Sequence, residues 1–467
     1  MRLPEVALDV MGLFPSRSCF LVGGAVRDLL SDTEPCDYDF VTSVSPLGVH
    51  EYLSHLKPRD MGYGVVEFTL HGYDCQVAVM RSESYGADPH RPEHVEFTDD
   101  LMLDLSRRDF TINAMALDSV GTLIDPFGGA SDLLSCDLRT PGVAFESFHD
   151  DVLRVLRAAR FVSLGFEPSV AIKDAASDSR IHGRFSHLSV ERVSRELDRI
   201  ILSSEPSRGL YFLLQCGVLN LSCCCKEHGN VRLVSFLPEL SSLSGVSQNS
   251  RYHKYDALEH TLRTIDAVPS ELELRYAALF HDIAKGMPGI RGINKRGELC
   301  DHGHEIKGAE VCEDVMSRLS YSKSLVSSVT WLVRHHMDIP PADLSQVSRW
   351  LRRKSKHFSD RESFELSIDR LFALAEADNK GRGIGDTDLS ANRVAVDTIL
   401  ECLPLYVKEL SVDGNDVTSR GFSGPRVGHV LDDLLVRVQS GQLENKESSL
   451  RQAVDKKVLR LALKGEM

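Results

Sequence analysis

Residues 19–42 read CFLVGGAVRDLLSDTEPCDYDFVT. The apolar CFLV predicts a strand that runs into a turn at Gly23-Gly24, followed by a helix over AVRDLLS and a second strand over DYDFVTS. In a strand, residues two apart share a face, so Asp37 and Asp39 project together. Two carboxylates on one face repel each other unless a cation lies between them, which suits Mg²⁺; the alternative is an exposed strand with two solvated charges. Glycines after a strand let the backbone approach a phosphate, and the helix N-terminus offers free N–H groups to it. Arg27, on the first turn, is placed to hold a triphosphate oxygen, although a strand–Gly-Gly–helix turn by itself is also an ordinary tight turn.

Around this unit, VVEFTL and QVAVMR predict a hairpin about His71-Gly72, and ALDSVGTLIDP a second one with a glycine turn. From Pro141 the pattern becomes helical: DDVLRVLRAARFVSLGF and SVERVSRELDRIILS both repeat apolar residues at helical spacing, with Ser189 as the expected N-cap of the second. SSLSGVSQNS, residues 241–250, reads as a linker, residues 252–400 as a further helical region, and the stretch from Ser411 as a tail with one closing helix. A chain of 467 residues exceeds one hydrophobic core, and 42% hydrophobic with 26% charged residues is ordinary for a soluble protein. No apolar run has transmembrane length, and MRLPEVALDVMGLF reads as a helix and not as a signal peptide. The eleven cysteines are scattered, and Cys223, Cys224 and Cys225 cannot form a metal site by themselves, so buried thiols in a reducing cytoplasm are expected. A net charge of −14 confines any RNA contact to one face. The oligomeric state is left open.

LVGGAVRDLL with CDYDFVTS resembles the head of the class II CCA-adding enzymes and bacterial poly(A) polymerases. HRPEHVEF with DLSRRDFTINAMALD, then DDVLRVLRAARFVSLGF and LSVERVSRELDRIIL, are similar in order to the following blocks of that family. The resemblance implies an α/β nucleotidyltransferase head, a small mixed β-sheet with helices, over 1–140, followed by all-α parts. These are a neck and body over 141–250, an HD metal-binding domain over 251–400 and a tail over 401–467. It implies a cytoplasmic enzyme that adds CMP, CMP and AMP to tRNA from CTP and ATP. Asp37 and Asp39 would hold two Mg²⁺, one serving the RNA 3′-hydroxyl and one the leaving pyrophosphate. Gly23, Gly24 and Arg27 would cradle the triphosphate, Asp28 would orient the loop, and Arg108 and Asp109 would meet the nucleotide with Asn113 in support. Two departures stand out: Gln76 occupies a position where many relatives carry an acid, with Asp74 a substitute on the same strand face, and Asp150 replaces the usual Glu.

Asp151 and Arg154 lie three apart, so on one helix both face one pocket. A carboxylate accepts from the amino group of cytosine or adenine, and an arginine donates to the ring acceptor, whereas uracil and guanine present a carbonyl where the amino group should be. Such a pair selects C and A without a template. Arg157 and Arg160 continue the spacing and are expected to bind phosphates.

His260 in DALEHTLRTI, His281-Asp282 in AALFHDIAKG and Asp378 in ALAEADNKGRG follow the order of the HD phosphohydrolase superfamily. Imidazoles with carboxylates suit a divalent transition metal, and His304, His335 and His336 are candidates for a second ion. The tail, from SVDGNDVTSRGFSGPRVGHV, resembles the C-terminal segment of HD-bearing relatives, with Gly421, Gly424, Pro425 and Gly428 marking turns before its helix. CCA addition competes with poly(A) or A-only addition, and with a phosphohydrolase whose head only binds RNA. SESYGADPHRPEHVEF, residues 82–97, looks like a full flexible loop between signature blocks, which disfavours CC-only addition.

Overall fold

The computed structural model describes residues 1–85, 92–227, 229–385 and 387–464. The chain divides into two compact units: Met1–Val246 with Ser270–Arg275 and Glu313–Val326, and Ser247–Pro269 with Tyr276–Cys312 and Ser327–Met467.

The first unit opens with the helix Glu5–Gly12 and a mixed sheet. Its strands are β1 (Cys19–Val22), β2 (Asp37–Thr42), β3 (Arg59–Gly62), β4 (Val65–Leu70) and β5 (Tyr73–Val79), then β6 (Arg81–Tyr85), β7 (Pro92–Phe97), β8 (Ala116–Leu117) and β9 (Leu123–Ile124). Seven of them form one sheet in the order β3-β4-β5-β2-β1-β8-β9. The helix Gly24–Leu30 returns the chain from β1 to an antiparallel β2, while β2 and β5 run parallel. Alternation on β2 does what the sequence implies. Tyr38 and Phe40 enter a core with Val10, Leu53 and Val77, and Asp37 and Asp39 take the opposite face. The His71-Gly72 hairpin is present, with positive φ at both positions, the backbone a tight two-residue turn demands. The second hairpin, β8–β9, turns at Gly121. The stretch expected as a flexible loop forms two arms, β6 paired antiparallel to β7; its residues 86–91 lie outside the described residues.

Further along the chain, the helices Leu153–Val162, Val190–Ile201 and Pro206–Gln215 pack on one another through an apolar stripe that includes Leu156, Ala159, Leu197 and Ile200. A Cβ at Gly209 would lie 2.6 Å from the Ala159 carbonyl oxygen, so the close approach of two of these helices depends on that glycine. Ser189 occupies the N-cap position of Val190–Ile201, but its side chain makes no capping bond. Its backbone instead bridges to Cys224, on the hairpin Ser222–Glu227 and Asn230–Ser235 that the helical pattern did not announce. Cys223, Cys224 and Cys225 are buried there as free thiols.

Among the described residues the second unit is helical, with one short hairpin, Arg291–Ile293 and Leu299–Asp301. Its principal helices are Ala257–Ala267, Arg361–Gly381 and Ser390–Cys402. Among the described residues from Ser411 onward the tail holds three α-helices and not one, Gly414–Thr418, Pro425–Gln439 and Glu447–Lys464, around its own core of Val417, Phe422, Leu434 and Leu450. Gly421 and Gly424 make turns with positive φ, and Pro425 starts a helix; Gly428 lies inside that helix and marks no turn. Among the described residues no helix is long and apolar enough to cross a membrane.

Candidate active site and candidate metal centre

The turn after β1 is built for close approach. Gly23 has φ 71°, and a Cβ there would stand 3.1 Å from Arg108 Nη1 and 3.6 Å from Asp39 Oδ2. Gly24 starts the helix that carries Arg27 and Asp28. Arg27 donates from Nη2 to Asp28 Oδ1 at 2.8 Å and from Nη1 to Asn113 Oδ1 at 2.7 Å. Asn113 in turn donates to Asp109 Oδ1 at 3.0 Å, and the other Asp109 oxygen lies 2.9 Å from Arg157 Nη2. Burial works against the charge on Asp109, but Arg157, the Asn113 amide, Arg154 and the Phe110 N–H outweigh it and hold its carboxyl below the usual range. Arg108 is oriented by Asp104, a fully buried carboxylate that also binds Arg107. The sequence reading missed Asp104, although its spacing of three and four from the two arginines was the available signal.

Asp37 and Asp39 share the sheet face with their neighbours in register: Asp74 beside Asp37, and Gln76 beside Asp39. One strand further, Glu67 pairs with Gln76, whose Nε2 donates to Glu67 Oε1 at 3.4 Å. A cavity of about 810 Å³ opens over these side chains. Burial, then the Asp37 charge, raises the Asp39 carboxyl above its ordinary value against the pull of Arg108 and Arg157. A pair strained in this way is relieved by a hard cation, so the residues fit Mg²⁺.

The segment expected to select the base departs from the single helix that its spacing predicts. Asp151 is not on the helix with Arg154. It lies between the helices Ala144–Asp150 and Leu153–Val162 with an extended backbone, because its carboxylate accepts the Leu153 N–H. Its other oxygen faces Arg192 at 3.3 Å. Arg154 donates to Ser147 Oγ at 2.6 Å and to the Arg107 carbonyl. Arg160 is paired with the buried Glu196 at 3.5 Å and lies over the Phe161 ring, so both it and Arg157 are held by protein carboxylates.

In the second unit the ligand-type residues converge. His260 Nε2 lies 3.1 Å from His281 Nε2, 3.2 Å from Asp282 Oδ2 and 3.1 Å from Asp378 Oδ1. Asp282 turns its other oxygen to His304 Nε2 at 3.3 Å and His336 Nε2 at 4.0 Å. His281, His304 and His336 each place Nδ1 at 2.7–2.8 Å from a backbone carbonyl, of Ala278, Asp301 and Val333 respectively. A carbonyl only accepts, so Nδ1 carries the proton and Nε2 keeps a lone pair for an ion. The donor set, two carboxylates and, with His253, five imidazoles, fits divalent transition metals better than Mg²⁺. Burial opposes protonation of His260, but the Asp282 and Asp378 carboxylates raise it to about 9.

His335 does not belong to this centre. Adjacent residues on a helix point about 100° apart, and His335 meets Lys354 Nζ at 2.8 Å and the Trp331 ring instead. Burial and Lys354 lower it to about 4. His253, which the sequence reading passed over, does join: His253, His260 and Asp282 offer ligand atoms within 4.8 Å of one another. Lys285 Nζ lies 2.7 Å from Asp282 Oδ2, and Arg382 Nη2 lies 2.7 Å from Asp378 Oδ2.

Residues 19–139 match the family model of the Poly A polymerase head domain and residues 257–378 that of the HD domain. The A-adding tRNA nucleotidyltransferase of Deinococcus radiodurans is 32% identical over 429 residues, 88% of this chain and 89% of that protein. A multifunctional CCA protein of Shewanella denitrificans is 33% identical, covering 89% of this chain and 95% of its own length. The fold is that of the Bacillus stearothermophilus CCA-adding enzyme solved in complex with CTP, at a TM-score of 0.66 and 23% identity, covering 99% of this chain and 100% of that one.

Proposed function

The chain belongs to the family of tRNA nucleotidyltransferases with a Poly A polymerase head, and from that premise we propose that it adds CCA to tRNA 3′ ends from CTP and ATP. The 3′-oxygen of the RNA forms a bond to the α-phosphorus of the nucleotide, the bond from that phosphorus to the β-phosphate bridge breaks, and pyrophosphate leaves. Asp37 and Asp39 would hold Mg²⁺, and a bound Mg²⁺ would supply positive charge to offset the negative charge building up on the reacting oxygens. Gly23 and Gly24 let the triphosphate lie against the backbone, with Arg27 and Arg108 donating to its oxygens. Asp28 and Asn113 hold Arg27 in place. Asp109 and Arg157 brace each other beside the nucleotide. Asp151 accepts from the amino group of C or A, and Arg154 donates to the ring nitrogen. The observation that carries the reading is the carboxylate pair on one face of β2, set against the Gly23 turn, whose positive φ disfavours a side chain. All eleven cysteines are free thiols, in keeping with a cytoplasmic enzyme.

A second reading is A-only addition, favoured by the Deinococcus relative, whose match spans most of both chains. tRNAs ending before CCA, at C and at CC, offered with CTP and ATP separately, decide between them. Incorporation of CMP on the shortest tRNA supports CCA addition; AMP alone, and only after CC, makes the protein an A-adding enzyme.

We further propose a metal-dependent phosphohydrolase centre in the same chain, where His260, His281, Asp282 and Asp378 would hold one divalent ion and His304 and His336, with Asp282, would hold a second. A bound divalent transition metal supplies Lewis acidity and a water that ionises near neutral pH. Lys285 and Arg382 fix the Asp282 and Asp378 carboxylates. RNA ends bearing 2′,3′-cyclic phosphate, which cannot accept a nucleotide, are the substrate class this pairing suggests. His281→Ala with Asp282→Ala removes that hydrolysis if the reading is right. No hydrolysis by the wild type with Mn²⁺, Fe²⁺, Co²⁺, Ni²⁺ or Zn²⁺ would overturn it.

A further inference from the structure

Building on the reading of the second unit as a metal centre, we infer that His253 is a further ligand of the ion held by His260, His281, Asp282 and Asp378. His253 lies in the loop before the helix Ala257–Ala267, outside the HD signature positions. Its ring stands edge-on to His260, with centroids 4.9 Å apart at 83°. The ligand atoms of His253, His260 and Asp282 fall within 4.8 Å of one another. Donors on opposite sides of an ion with bonds of about 2.1 Å stand about 4.2 Å apart, so these three donors need only a small inward adjustment to share one.

Two features distinguish His253 from a histidine that merely packs. Its Nδ1 is buried and has no hydrogen-bond partner. Buried polar nitrogens are almost always satisfied, and an orphan next to a ligand cluster is what an ion explains. The loop is also fixed to the helix that carries Asp378. The His253 N–H donates to the Asn249 carbonyl at 3.0 Å, and the Lys254 N–H to the Arg382 carbonyl at 2.9 Å. A Cβ on Gly383 would meet the Tyr255 ring at 2.4 Å, so the loop seats tightly there. His253 and the two carboxylates line one cavity of about 410 Å³. The imidazole is thus positioned before any ion arrives, the arrangement expected of a ligand whose ordering cost is met by the fold.

The test is Co²⁺ binding to the full chain, read by equilibrium dialysis and by the visible absorption of bound Co²⁺, with His281→Ala/Asp282→Ala defining the signal of this centre. Melting of the metal-free variants by circular dichroism checks folding. His253→Ala is expected to weaken binding by about tenfold or more and to change the absorption spectrum. His253→Asn, which keeps a hydrogen-bonding side chain but is a poor ligand, is expected to do the same. Wild-type affinity and spectrum in His253→Ala overturn the inference, and so does wild-type behaviour of His253→Asn, which would make the ring a hydrogen-bonding partner. If the wild type binds no more Co²⁺ than the double variant, the metal reading itself has failed, an outcome distinct from the other two.

Discussion

Arg27 Nη1 donates a 2.7 Å hydrogen bond to Oδ1 of Asn113, 86 positions further along the chain. The bond joins the helix after the glycine turn to the segment that carries Arg108 and Asp109, and Asn113 passes it on to Asp109. The two signature blocks therefore act as one hydrogen-bonded unit. Asn113→Ala should raise the KM for the nucleotide by about tenfold, the effect of losing about 1.4 kcal/mol of positioning, with a smaller change in kcat. Steady-state kinetics with ATP check this; an unchanged KM would free Arg27 from that role.

Gly23→Ala meets two obstacles, a positive φ and the Arg108 guanidinium 3.1 Å away. The backbone term costs about 1 kcal/mol of stability. Nucleotide addition should fall by about a hundredfold or more, since a displacement of the order of 1 Å at a reacting site is worth that much. A variant that keeps full activity would show that the turn does not approach the substrate.

Asp39→Ala should abolish addition with the fold intact. Because burial and the Asp37 charge disfavour its ionised form, removing it should leave the melting temperature equal or higher. Normal incorporation by the folded variant would remove the pair from catalysis.

Arg154→Ala should relax the choice of base more than it weakens triphosphate binding. Incorporation of all four NTPs tests this, and an unchanged preference for CTP and ATP would take Arg154 out of base selection.

In the metal-free centre His260 is raised from 6.5 to about 9 by its carboxylate neighbours against the effect of burial. Its contribution to stability is then fully present below pH 6.5 and lost as pH rises through about 9. An ion must displace that proton, so metal affinity should climb with pH over the same window, by about tenfold per unit, and level off above it. Calorimetry in buffers of differing ionisation enthalpy counts the proton. His335→Ala should leave this affinity unchanged, while His336→Ala lowers it.

Much of this was legible from residues alone. The period of two in DYDFVT puts both aspartates on one face, and His260, His281, Asp282 and Asp378, singled out by their order in the sequence, converge in the fold. What was not legible came from two sources. Glu67 reaches the site only through strand register, and His253 sits in a loop with no periodicity to mark it. His335 and His336 are equivalent as text, but the helix ends at His335, whose ring meets Lys354, while the next ring turns its Nδ1 to the Val333 carbonyl. Asp151 lies in an unbroken helical pattern, yet its carboxylate takes the Leu153 N–H and ends one helix before the next begins.

Asp282 turns one oxygen toward His260 and His281 and the other toward His304 and His336. Two ions sharing that carboxylate would not load independently. Whatever the first does to the orientation and charge of Asp282, the second inherits, and the coupling free energy is the same whichever arrives first. A substitution confined to His304 should therefore be felt at the far pocket, and the factor by which it changes ion uptake there measures the cooperativity of the pair.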